Sequence, residues 1–222
     1  MRISKAIFLL GASVVFGSAL QAAPVYNYAF GGLGNLGSNT HTFAPVNGPG
    51  PSITAAGFKL GTGSTVVAVN LFSKGSGAFP LPNDESGLGL TNDPTGDHEI
   101  TPCSFIMLDR GASSISALGI YTESTTGGEE WKIWGSNTAA VAGHSFAIPT
   151  GLTGFGEGMQ NVNSLDGDRY LFITSLKGNV LLGAVTETVA TPEPASAGLL
   201  GLALLGSGLL FRRRLSQQAQ QS

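Results

Sequence analysis

Val180-Leu181-Leu182-Gly183-Ala184-Val185 decides the fold. The run is apolar at both of its alternating positions and too short for a core helix, so it reads as a strand buried on both faces. Extended to residues 180–188, it has seven counterparts upstream, at residues 25–30, 53–60, 65–72, 105–109, 114–122, 130–135 and 170–175. Clusters of Gly, Asn, Asp and Pro separate them, which is the punctuation of tight turns. A content of 33 Gly with only 11% charged residues favours short strands over helices. No stretch before the last thirty or so residues carries a helical period of adequate length. Eight strands on one core predict an all-β, jelly-roll-like β-sandwich over residues 24–190, a length that suits one domain.

The two ends of the chain depart from this pattern. Residues 1–23 place Arg2 and Lys5 before an apolar core from Ala6 to Leu20 and then small residues, the layout of a cleavable signal peptide cut after Ala22 or Ala23. At the other end, Thr191-Pro192-Glu193-Pro194-Ala195-Ser196 leads into an uncharged run rich in Leu, Gly and Ala. That run reaches Phe211 before Arg212, Arg213 and Arg214. At about 17 residues it lies at the short end of a bilayer-spanning helix. Three adjacent guanidinium groups are costly to carry through hydrocarbon, so Arg212, Arg213 and Arg214 are expected to be retained in the cytoplasm. A single C-terminal transmembrane helix is therefore expected, with residues 216–222 as a cytoplasmic stub. Two prolines fix φ and bias the residue before each away from the helix, leaving the segment ahead of the span extended and open to an enzyme.

Pro192-Glu193-Pro194, a Leu/Gly-rich span and a terminal Arg cluster, in that order, resemble the PEP-CTERM sorting signal over residues 191–215. The resemblance implies recognition at Pro192, Glu193 and Pro194 by an exosortase, a membrane-embedded protease that cuts near the motif. It implies passage through the inner membrane of a Gram-negative bacterium, transient anchoring there, and delivery to the cell surface or extracellular matrix. The role it suggests is structural or adhesive, non-enzymatic, within exopolysaccharide or biofilm. A calcium-stabilised carbohydrate-binding module and a secreted glycan hydrolase are the alternatives.

Charge narrows the partners. The chain holds 11 basic and 14 acidic residues; without the signal peptide and the tail, 6 basic and 13 acidic remain, a charge near −7. Such a surface repels nucleic acid and anionic lipid headgroups. The single cysteine, Cys103, cannot form a disulfide within the domain, and in Pro102-Cys103-Ser104-Phe105-Ile106 it reads as a buried thiol acting as a small hydrophobe.

The ectodomain offers few chemical motifs. Gly32-Leu33-Gly34-Asn35-Leu36-Gly37 has the spacing of a dinucleotide fingerprint but precedes Pro45, Pro49 and Pro51 rather than a helix, so it reads as a loop. Five carboxylates, Asp84, Glu85, Asp93, Asp97 and Glu99, fall in one Gly-rich stretch and form a candidate calcium set, although their spacing matches no EF-hand loop. An acidic solvated loop with Asx-turns at Asn83 and Asn92 is the competing reading. Gly87-Leu88-Gly89-Leu90, followed by Glu99-Ile100, also resembles a pattern in ectodomains that carry this tail, where it implies a jelly-roll core. Asp166-Gly167-Asp168 reads as a turn. Glu129 and Glu130 point to opposite faces of a strand and cannot pair as acid and base. His41, His98 and His144 sit on separate expected loops without metal-ligand spacing. Tyr121, Trp131 and Trp134 form a candidate aromatic platform for a sugar ring.

Overall fold

The double-sided apolar run becomes a central strand whose residues 181–185 are all buried. The structure, a computed structural model, describes residues 22–78, 85–111, 115–123 and 128–189. Residues 1–21 of the expected signal peptide and residues 190–222 lie outside it, as do Asn83 and Asp84.

Fourteen strands are described. In chain order they are β1 (Val25–Ala29), β2 (Gly34–Asn35), β3 (Thr40–Phe43), β4 (Ile53–Leu60), β5 (Val66–Ala68), β6 (Leu71–Lys74) and β7 (Gly87–Leu90). They continue as β8 (Ser104–Asp109), β9 (Ile115–Glu123), β10 (Glu130–Ser136), β11 (Leu152–Phe155), β12 (Gly158–Asn161), β13 (Tyr170–Lys177) and β14 (Leu181–Val189). Sheet A runs β12-β9-β14-β7-β6-β2, with β1 also paired to β14; sheet B runs β11-β10-β13-β8-β4-β3, with β5 also paired to β4. Both sheets are antiparallel. From β7 onward the chain changes sheet at every connection except β10 to β11, so β7-β14-β9-β12 is interleaved in sequence with β8-β13-β10-β11. The domain is an all-β sandwich.

Alternation places Ile106 and Leu108 of β8, Ile133 of β10, Leu171 and Ile173 of β13, and Leu118 and Ile120 of β9 in the core between the sheets. Sheet B is apolar on its other face too. Phe58, Phe105, Met107, Trp134 and Phe172 form a second cluster there, against which Phe146 and Ile148 pack. Phe146 belongs to a connection between β10 and β11 that is pinned by backbone bonds: Gly143 N to Val66 O at 2.8 Å, Val66 N to His144 O at 2.8 Å, and Phe146 N to Ser64 O at 3.0 Å. This strap keeps the outer aromatic face of sheet B dry.

Two sequence expectations fail for identifiable reasons. Residues 65–72, expected as one strand, form β5 in sheet B and β6 in sheet A. Val69 and Leu71 both reach the inter-sheet core as the chain crosses between the sheets. Gly87-Leu88-Gly89-Leu90, read within a loop stretch, is a fully buried strand. A Cβ on Gly89 would sit 1.8 Å from the His98 carbonyl oxygen, so glycine is what lets the backbone after β7 lie flush against it. The pairs β2–β6, β3–β4, β10–β11 and β9–β12 add four further strands that the alternation did not indicate.

Candidate functional site

The acidic stretch folds as a network around one lysine. Lys74, on β6, donates to Glu99 Oε1 at 2.9 Å and to the Glu85 carboxylate. Burial pulls the Lys74 ammonium down, but hydrogen bonds to Glu85 and Glu99 outweigh it and hold the group above its ordinary value. Asp93 caps its own turn: Oδ1 accepts from Thr95 N at 3.0 Å, while Oδ2 accepts from Thr95 Oγ1 at 2.8 Å and from Glu99 N at 3.2 Å. Burial raises the Asp93 carboxyl, and these donors more than reverse it, leaving the group below the usual carboxylate range. The Asx-turn therefore belongs to Asp93, where the sequence suggested Asn92. Asp97 is exposed, and His98 stacks on Phe72 with ring centroids 4.0 Å apart. Among the described residues, no group of three or more His, Cys, Asp or Glu side chains stands where it could hold a metal ion. Glu85, Asp93 and Glu99 share one neighbourhood, where Lys74 bridges Glu85 and Glu99 and Asp93 accepts from Thr95 and from Glu99 N.

The aromatic platform is corrected by burial. Trp131 is 5% and Trp134 1% exposed, so neither ring presents a surface to a sugar. The two rings point to opposite sides of β10. Trp131 enters the inter-sheet core, whereas Trp134 stacks on Phe172 at 5.1 Å and 6° beneath the strap. Tyr121 stands apart on β9, half-buried. Burial, then the nearby Glu123 and Glu157 charges, raise its hydroxyl pKa.

Cys103 is also corrected, being exposed rather than buried. Thr101-Pro102-Cys103-Ser104 is a tight turn closed by Ser104 N to Thr101 O at 3.0 Å, with Cys103 at φ +69°. Proline at the second position and a positive φ at the third are the marks of a type II turn, which carries the thiol outward. His41 lies in β3 rather than in a loop.

Sequence reasoning missed the most buried charges. Arg110, just after β8, and Glu187, on β14, are 3% and 1% exposed and approach to 3.7 Å between Nη1 and Oε1 across the two sheets. Arg110 Nη2 donates to Asp166 O at 2.9 Å and to Asp168 O, tying down the turn before β13. Burial pushes the Glu187 carboxyl up to about 7 against the pull of Arg110, and burial likewise lowers the Arg110 guanidinium. Tyr28, whose hydroxyl donates to Pro51 O at 2.7 Å, is raised by burial and by Glu187. The available signal was a lone Glu in the second half of an otherwise uncharged strand.

β14 leads toward the C-terminal segment. Val25 lies opposite Thr188, and Val189 N donates to Pro24 O at 3.0 Å, so the first and last described strands end side by side in sheet A. The next residue begins a family match: the model of the PEP-CTERM protein-sorting motif matches residues 190–214. The chain carries a PEP-CTERM sorting domain. The domain is a protein-sorting signal, which makes an exosortase the partner during sorting and export toward the cell surface the route. The match contains Pro192, Glu193, Pro194 and Arg212 to Arg214, all beyond the described residues. Comparison with curated proteins and with solved structures gives no match. Among the described residues, no helix is long and apolar enough to cross a membrane.

Proposed function

We propose that this PEP-CTERM protein is a non-enzymatic component of the surface or matrix of an exopolysaccharide-producing Gram-negative bacterium. Its signal peptide directs it through the inner membrane, and its apolar tail holds it there, with Arg212 to Arg214 inside, until an exosortase cuts near Pro192 to Pro194. The released β-sandwich, read as a jelly roll from the interleaving of β7 to β14, then serves a structural or adhesive role. The observation that carries this reading is the match of the sorting motif over residues 190–214, immediately after the last described strand. A non-catalytic role draws support from the carboxylates: Glu85 and Glu99 engage Lys74, Asp93 closes its own turn, and Asp109 forms a paired contact with Arg169 at 2.8 and 2.9 Å.

Replacing Pro192 and Pro194 together by Ala, in a host that makes an exosortase, tests the sorting step. The protein is expected to remain with the inner membrane and to disappear from the surface fraction. Unchanged delivery of the double variant would contradict the reading.

A further inference from the structure

The outer face of sheet A differs from every other surface described above. Paired registers align Asn161 of β12, Gly119 of β9, Thr186 of β14 and Asn27 of β1 in one row across four strands. Beside it, Met159 lies opposite Tyr121. Paired residues of antiparallel strands share a face, so these side chains form one surface. The Met159 side chain lies across Gly119, where a Cβ would stand 2.6 Å from its sulfur, and it borders an open groove of about 220 Å³ lined also by Ala117, Asn163 and Thr188.

The polar groups of the groove are set in advance. Asn161 Oδ1 accepts from Asn163 N at 3.0 Å, and Asn163 Oδ1 accepts from Leu118 N at 2.7 Å. Since a backbone N–H can only meet the amide oxygen, both carboxamides are held in one orientation, leaving their Nδ2 groups as the donors they can offer a ligand. Thr186 Oγ1 donates to Asn27 Oδ1 at 3.0 Å and keeps its lone pairs as acceptors. Met159, 47% exposed, supplies an apolar contact beside them. None of the lining side chains is ionisable.

We propose that this groove binds a segment of a neutral polysaccharide. Fixed amide donors and threonine hydroxyls match the mixed donors and acceptors of sugar hydroxyls, and Met159 and Ala117 match the C–H face of a pyranose. The openness of the groove suits a passing chain rather than an enclosed small molecule. The absence of cations in the lining and the Glu123 and Glu157 charges acting on neighbouring Tyr121 disfavour an acidic polymer. The proposal rests on the reading of the protein as delivered to a polysaccharide matrix, but its test uses purified protein and succeeds or fails independently of sorting.

The full chain, in a sugar-free detergent, is titrated calorimetrically with cellohexaose, maltohexaose and dextran, with alginate as the acidic comparison. At least one neutral glycan is expected to bind at millimolar or lower concentration, with alginate weaker. Gly119→Val, whose new Cβ would stand 2.6 Å from Met159 Sδ, displaces the flexible Met159 side chain that borders the groove and should weaken binding roughly tenfold or more. Asn161→Ala should weaken it without altering the fold, as checked by circular dichroism, and stands in if Gly119→Val fails to fold. Absence of heat with all three neutral glycans, binding of alginate alone, or wild-type affinity in folded variants would overturn the proposal. So would concentration-dependent self-association lost in Gly119→Val, which would assign the face to a second copy.

Discussion

The outer faces of the two sheets have opposite constructions. Sheet B turns Phe58, Phe105, Trp134 and Phe172 outward and needs the strap carrying Phe146 to keep them from water. Sheet A turns Ala117, Thr186 and Asn161 outward along an open groove, with Met159 laid over Gly119. Large rings on one side make that face a second core, whereas small and polar side chains make the other a surface. The proposed ligand surface therefore lies on sheet A, although the tryptophans that suggested ligand binding lie in sheet B.

The contrast breaks most readily by truncating one residue on each face. Trp134→Ala should cost about 3–5 kcal/mol, because it empties space between Phe105, Phe172 and the strap. Met159→Ala or Thr188→Ala should change stability by no more than about 0.5 kcal/mol. Urea unfolding followed by circular dichroism measures both, and equal losses on the two faces would show that sheet A is also covered.

A second test concerns what joins the unlike sheets. Arg110→Ala strands the Glu187 carboxyl between them and should cost about 3–5 kcal/mol, whereas replacing Arg110 and Glu187 together by Met and Leu should cost much less. Glu187 has a pKa near 7 when folded and an ordinary value of 4.5 when exposed. The folded state therefore holds the proton more tightly. This contribution to stability is complete below about pH 4.5 and is lost as pH rises through about 7. The urea midpoint should fall between about pH 5 and about pH 8, and Glu187→Gln should flatten that part of the profile. A midpoint that rises over the same range, and loses its rise in Glu187→Gln, would mean that Arg110 compensates the burial fully.

The sandwich was legible wherever a strand carried its own pattern. Residues 53–60 and 180–188 announce themselves because their apolar positions alternate or run continuously, and β4 and β14 follow them closely. β7 was hidden because glycine reads as a breaker, and its need for Gly89 appears only once His98 packs against the strand. The tryptophan platform misled because alternation along β10 places Trp131 and Trp134 on opposite faces but does not reveal the strap that covers one of them. Cys103 was misplaced because its turn, set by Pro102, overrides the apolar residues that follow. Arg110 and Glu187 lie 77 positions apart, and only the strand order between the sheets makes them neighbours. The sorting segment is the reverse case: its order of Pro-Glu-Pro, apolar span and arginines is linear and was readable without any fold.

The measurement closest to the central claim is the intact mass of the protein recovered from outside the cell. The account predicts a C-terminus near Pro192 to Pro194, with the apolar span and the arginines removed. Recovery of the same protein with Arg212 to Ser222 still attached would contradict it and identify the tail as a permanent anchor.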